Sequence, residues 1–278
     1  MPELPEVESV CRVMRRVVEG KRIQAVEVVA DDIVCKGIGA DLFEGKTVRK
    51  IGRKGKYFWF EFDSAPVVYG HLGMAGWIRE IRDDIKETRI REHGKAPLYD
   101  EDGRPRFLKL MLTAPDGRRV AMTDGRRLAR LWVGDDPATD KKLKQLGPDV
   151  FNEPYTTERL QAVLKGRTAP IKASLLDQKL FCGVGNWIAD EVLYQARISP
   201  KRTGDSLKKA DIERLLESLK EILTITVDCE ADKDQLPKSW MFHHRWGGEK
   251  GEDEIEGKPI RREQVGGRTT AWVPGLQK

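Results

Sequence analysis

The sequence predicts an α+β protein: an N-terminal β-sandwich behind one leading helix, then a helical domain, then a C-terminal β-hairpin. Three observations carry this. Apolar residues recur at helical spacing at the start of the chain and again beyond about residue 135. Between them lie short runs rich in β-forming residues, punctuated by Gly, Pro and Asp. After about residue 237 the chain turns to Gly-Gly pairs and short apolar strands around a charged middle. A length of 278 residues suits two domains, or one plus an appendage. The expected divisions are 1–134, 135–236 and 237–278.

Residues 5–19 read as an amphipathic helix, with Val7, Val10, Met14, Val17 and Val18 on one face, Pro5 in the first turn and Gly20 as the stop. IQAVEVV, KYFWFEF, PVVYGHLG, RFLKLMLTA and RLARLWV follow as strands, and the charged stretch from Arg82 to Glu101 as an exposed loop. KKLKQLG, TERLQAVLKG, IKASLLDQ, GNWIADEVLYQARI and DIERLLESLKEILTITVDC read as helices. KPIRREQV and TTAWV complete a hairpin too small to fold alone.

Composition narrows the partners. No apolar run reaches membrane-spanning length, and the acidic start is unlike a signal or transit peptide. A soluble, intracellular protein is expected, without a membrane partner. Cys11, Cys35, Cys182 and Cys229 form no C-x-x-C pair, and Cys229, His243 and His244 lack an evident fourth ligand. No metal and no cofactor are expected. The net charge of +5 is too small to name a partner, so its distribution matters more. RKIGRKGKY, the arginines between Arg104 and Arg130, and Lys258, Arg261, Arg262 and Arg268 form three basic clusters. They read either as a phosphate-binding track or as solvated strand edges, and composition leaves both open.

Two short motifs carry chemistry. Gly183-Val184-Gly185-Asn186 opens a helix, where free backbone N–H groups and the dipole favour an anion such as phosphate. Asn186 can cap that helix or donate to the phosphate, and Asp190 and Glu191 fit the acidic preference of a first turn. The plain alternative is a tight helix-helix connection. At the start of the chain, removal of Met1 would leave Pro2 with a free secondary amine. An α-amino group has a pKa of about 8, so roughly a tenth is unprotonated at neutral pH, against about one lysine in 2500. Such an amine can attack an anomeric carbon and form an iminium. Glu3 and Glu6 stand beside it as proton carriers, or simply as favourable charges in a first helical turn.

MPELPEVE, RKGKYFWFEF, HLGMAG, TDGRRL, LGPDV, IKASLLDQKLFCGVGN and GRTTAWV occur in that order over nearly the whole chain. Together they resemble the formamidopyrimidine-DNA glycosylase / endonuclease VIII family. The resemblance implies a β-sandwich and a helix-two-turns-helix domain. It also implies a bifunctional glycosylase and abasic-site lyase of base excision repair, acting as a monomer on double-stranded DNA with oxidised bases or abasic sites. Pro2 would be the nucleophile, Glu3 the acid that protonates the sugar ring oxygen, and Glu6 a support to the sugar. Lys56 would bind phosphate beside the lesion with Asn186, His71 would contact DNA, and Glu191 would line the lesion pocket. Met74 would fill the hole left by the everted base, and Arg126 would read the orphaned base. Base chemistry requires extrusion from the stack, so something must occupy the void.

The chain departs from the family pattern in three places. The four-cysteine zinc finger is missing, and the tail looks like the zincless finger of plant and fungal relatives, with Arg268 as its phosphate-gripping arginine. Trp246, Ile260, Val265, Trp272 and Val273 would supply burial in place of zinc. Leu128 stands where many relatives carry a phenylalanine wedge. The stretch 230–242 is short where longer enzymes carry a loop over 8-oxoguanine, so formamidopyrimidines and further-oxidised guanine are expected to be preferred. Alternatives are an oxidised-pyrimidine glycosylase of endonuclease VIII type and a non-catalytic DNA- or RNA-binding module. A mere binder has no reason to keep Pro2 with Glu3.

Overall fold

Alternating apolar residues build two four-stranded antiparallel sheets in the first half of the chain. The computed structural model describes residues 2–81, 99–100, 103–247 and 254–278. Met1 and all of the expected 82–101 loop except Tyr99 and Asp100 lie outside the described residues. The chain divides into two units: Met1–Pro2 with Glu6–Lys144, and Glu3–Pro5 with Gln145–Lys278.

In the first unit, helix α1 (Leu4–Val18) contributes its length from Glu6 onward. One sheet has the order β1 (Ala25–Val28), β6 (Leu108–Thr113), β7 (Arg119–Thr123), β5 (Trp77–Ile81). The other runs β2 (Val48–Lys54), β3 (Tyr57–Phe62), β4 (Val67–His71), β8 (Arg130–Gly134). Met14, Phe43, Phe60, Val68 and Leu112 are buried in one core, where Phe43 meets Phe60 and Phe62 edge-on at 5.7 Å. Strands β2, β5 and β7 were not singled out by the sequence, because VRKIGRK, WIREI and RVAMT carry charge at strand positions. The expected strand from Arg127 begins at Arg130 instead. Arg127 has φ of 54°, and the Asp124 carboxylate accepts N–H bonds from Leu128 (2.7 Å) and Ala129 (2.6 Å), which turns the backbone into a loop. The short helix α2 (Lys141–Lys144) ends this unit.

The second unit holds α3 (Thr157–Leu164), α4 (Ile171–Leu176), α5 (Asn186–Gln195), α6 (Lys209–Asp228) and α7 (Met241–His244). Leu160, Ile171, Phe181, Ile188, Leu215 and Ile222 are buried together. Two hairpins follow: β9 (Glu254–Ile255) with β10 (Lys258–Pro259), and β11 (Arg261–Val265) with β12 (Arg268–Trp272). The single strand expected for KPIRREQV breaks at Ile260, whose side chain joins a small core with Tyr194, Met241, Ile255, Ala271 and Val273. Trp246 corrects the expectation for the hairpin, since it is 71% exposed. Ile260, Val265, Trp272 and Val273 are buried. At about 1.5–3 kcal/mol each, those four approach the lower end of the roughly 10–16 kcal/mol that a structural zinc supplies.

Ionic groups strengthen the attachment of the hairpin. Asp190 of α5 is fully buried between Lys172 of α4 and Arg245, whose Nη2 lies 2.7 Å from Oδ2. The Ala271 N–H of β12 also points to Asp190, at 3.4 Å. Asp190 and Glu191 therefore lie beyond the first turn of α5, as buried bonding groups and not as dipole partners. Among the described residues, no three His, Cys, Asp or Glu side chains group to hold a metal ion, and no helix is long and apolar enough to cross a membrane.

Candidate active site

Glu3 is almost completely buried at the start of α5. Its carboxylate accepts the Trp187 N–H at 2.9 Å and the Ile188 N–H at 3.2 Å. These are first-turn donors that no helix carbonyl satisfies, and the positive end of the dipole adds to the attraction. The first-turn donors at this helix start are thus taken by the protein's own carboxylate. The glycines have the same cause. A Cβ at Gly185 would lie 2.2 Å from the Glu3 carboxyl carbon, and one at Gly183, with φ of 101°, would lie 2.5 Å from Leu4 Cδ1. The Leu4 N–H also donates to the Gly183 carbonyl at 3.1 Å. GVGN is a seat for residues 3 and 4.

Asn186 does not cap α5, because Gly185 holds the cap position and no side chain bonds there. Asn186 Nδ2 donates instead to the Thr269 carbonyl at 3.0 Å. This ties the start of α5 to β12 next to Arg268, which is exposed at the Gly266-Gly267 turn. That turn rests on α4: a Cβ at Gly266 would lie 3.0 Å from Ala173. The second unit therefore brings Glu3, Asn186 and Arg268 into one neighbourhood. Glu191 lies farther along α5, fully buried, accepting from Gln195 Nε2 and the Phe242 N–H, each at 2.7 Å. Burial raises its pKa to about 7, against the lowering effect of those donors.

In the first unit, Lys56 sits half-buried in the β2–β3 turn. Arg53, buried in the same hairpin, donates to Glu8 of α1 at 2.7 Å and to the Gly55 carbonyl at 3.1 Å. Glu8 also takes Arg15 at 2.7 Å. Burial pushes the Glu8 pKa up, but Arg53 and Arg15 outweigh it and hold it below the usual carboxylate value. This clamp fixes the Lys56 turn on α1, whose first residue in this unit is the half-buried Glu6. Pro2 is buried. His71, at the end of β4, packs against Tyr57 at 5.1 Å between ring centres. Burial, then the charges of Lys56 and Lys142, lower its pKa to about 4, so the ring is neutral near pH 7. The Gly73 N–H donates to its Nδ1 at 3.0 Å, which leaves Nε2 as the protonated nitrogen of the neutral ring.

Met74, Arg126 and Leu128 form an exposed rim. Gly73, with φ of 63°, lets its loop touch the other: a Cβ there would lie 2.2 Å from the Leu128 carbonyl oxygen. Asp124, buried beneath, accepts the Arg126 N–H at 2.9 Å as well as those of Leu128 and Ala129. The neighbouring Arg127 is held by Asp31 and Asp32, so of the pair Arg126 is the one whose side chain these carboxylates leave outward.

Comparison with known proteins decides the family. Residues 1–131 match the formamidopyrimidine-DNA glycosylase N-terminal domain, and residues 146–237 match the H2TH domain of the same enzymes. A formamidopyrimidine-DNA glycosylase of Arabidopsis thaliana is 39% identical, over 100% of this chain and 71% of its own. The chain belongs to the formamidopyrimidine-DNA glycosylase family. A Thermus thermophilus formamidopyrimidine-DNA glycosylase is 32% identical over 100% of this chain and 98% of its own. The Lactococcus lactis glycosylase bound to abasic-site DNA superposes with a TM-score of 0.78 at 26% identity, covering 99% of both chains. The same Lactococcus enzyme with formamidopyrimidine-containing DNA gives 0.77 at 27% identity, covering 99% of this chain and 100% of that one.

Within this glycosylase, the sequence left the places of three residues unread. Asp124 shapes the rim loop, and its signal was Asp-Gly just before the arginines. Asp190 holds Lys172 and Arg245, which no spacing reveals. Phe107 is a half-exposed aromatic beside the rim, hidden in what read as an ordinary strand.

Proposed function

We propose that this glycosylase removes oxidised purines from duplex DNA through Pro2 and then cuts the strand at the abasic sugar. The burial of Glu3 on the first-turn N–H groups of α5, next in the chain to Pro2, is the observation that carries the reading. With Met1 removed, the Pro2 nitrogen attacks the anomeric carbon. The bond from sugar to base breaks, and the base departs with a proton from water. Glu3 delivers a proton to the ring oxygen, and the ring opens to an iminium on Pro2. Glu3 carries the proton that the Pro2 nitrogen loses on attack, and the Trp187 and Ile188 N–H groups hold its carboxylate in place for the transfer. The iminium acidifies the adjacent sugar C–H. β-elimination then expels the 3′ phosphate, δ-elimination expels the 5′ phosphate, and hydrolysis of the imine frees Pro2. Glu6 supports the sugar. Lys56, His71, Asn186 and Arg268 bind phosphates, and Glu191 stands in the pocket wall. Met74 and Leu128 fill the void while Arg126 meets the orphaned base. The working partner is double-stranded DNA, and the place of work is where the genome is kept.

Borohydride trapping tests this. Protein with Pro2 at its terminus is expected to give a covalent adduct with abasic DNA, and protein retaining Met1 none, because its proline nitrogen is an amide. Equal trapping by both would overturn the role of Pro2. For lesion choice, the short 230–242 segment supports faster single-turnover release of formamidopyrimidines than of 8-oxoguanine opposite cytosine. The reverse order would end that preference.

A further inference from the structure

Phe107 is unusual on two counts. Half of it is exposed, and its φ is 59°, a left-handed conformation that an aromatic residue adopts only where its neighbours impose it. Those neighbours belong to the rim. The Asp124 N–H donates to the Phe107 carbonyl at 3.0 Å. The ring lies on Gly125, where a Cβ would come within 3.1 Å of it. Arg106 sits over the ring at 5.2 Å. Immediately afterwards, β6 shifts register between Leu108 and Leu110, an irregularity of the kind that re-aims side chains. Lys109 turns to Asp31 at 2.8 Å, while Phe107 stays out of the sheet.

Gly125 and Leu128 share one loop, and the Leu128 carbonyl touches Gly73 of the Met74 loop. Met74 (46% exposed), Phe107 (50%) and Leu128 (37%) are thus large apolar side chains presented on three interlocked segments. Arg106, Arg126 and Arg130 belong to the same segments. Exposed apolar side chains among arginines suit a partner with flat apolar faces inside an anionic outline, as stacked bases have within their phosphates.

We propose that Phe107 stacks on a base of the duplex next to the extrusion point, supplying the aromatic face that Leu128 lacks. This rests on the DNA glycosylase reading above. The left-handed backbone then has a use: it holds the ring outward before DNA arrives, so no ordering of the side chain is needed on binding.

The test uses the full-length processed protein and a duplex with an uncleavable abasic analogue flanked by 2-aminopurine. Phe107→Ala and Phe107→Leu are expected to weaken binding by about 5- to 150-fold, the range for one base–aromatic stack, and to lose the fluorescence change. Phe107→Tyr is expected to retain both. Thermal unfolding of each variant separates stacking from folding, since the side chain is exposed. Full restoration by Leu, or wild-type binding and fluorescence by Ala, would overturn the proposal. Borohydride trapping of the wild type separates the two levels. A trapping wild type with an indifferent Phe107→Ala sinks this inference alone, whereas a wild type that neither traps nor binds sinks the reading beneath it as well.

Discussion

The start of α5 and the rim formed by the Met74, Phe107 and Leu128 segments are built on opposite plans. At α5 the Glu3 carboxylate is buried, doubly bonded by backbone N–H groups, and seated against a glycine that no other residue can replace without a clash. On the rim the apolar side chains are exposed, and only the backbone beneath them is locked, by Asp124 and Gly73. A group that moves a proton needs fixed partners. A group that fills a void in another molecule needs a fixed base and an open end. Substitutions at α5 should therefore remove chemistry, and substitutions on the rim should leave stability alone.

The largest expected effect is at α5. Glu3→Gln keeps an acceptor for Trp187 and Ile188 but cannot deliver a proton, so single-turnover base release should fall by about 10²- to 10⁴-fold with little change in melting temperature. An unchanged rate would remove Glu3 from the acid role and break the comparison. Next, Arg53→Met breaks the buried pair with Glu8 that clamps the Lys56 turn. A loss of about 3 kcal/mol in urea unfolding is expected, at the lower end for buried pairs because Arg15 still faces Glu8.

Glu191 tests the interior of α5 through pH. Its folded pKa of about 7 lies above the ordinary 4.5. Between those values the folded protein binds more protons than the unfolded chain, so its contribution is fully present below about pH 4.5 and is lost as pH rises through 7. That loss is on the order of 3 kcal/mol. Unfolding midpoints at pH 5 and 7.5 should show Glu191→Gln gaining on the wild type as pH rises, and a parallel response would refute the shift. The smallest effect is on the rim. Leu128→Phe should change stability by less than about 0.5 kcal/mol, as exposed substitutions do. A larger cost in thermal unfolding would mean that the rim is packed as tightly as α5.

Much of this was legible in the sequence. Helical spacing exposed α1 and α6, and β-forming runs exposed most of the sandwich. The family motifs pointed to Pro2, Glu3 and the rim residues as the site now proposed. What was misread shares one physical cause: partners far apart in the chain. Strands β2, β5 and β7 carry charge because their arginines and glutamates find distant partners such as Glu8 for Arg53 and Arg118 for Glu80. GVGN looked like a phosphate cradle because spacing announces an anion site without saying which anion fills it. Trp246 looked like core because size and hydrophobicity are local properties and burial is not.

By itself the sequence determined most of the order of elements, the family, and a proline placed beside an acidic residue, since periodicity and motif order are written along one dimension. Only the tertiary structure decided that Glu3 fills the α5 terminus, that Asp190 binds Lys172 and Arg245 beneath the hairpin, and that Phe107 faces outward. Each depends on groups distant in sequence meeting within a few ångströms, where hydrogen bonds, excluded volume and desolvation act.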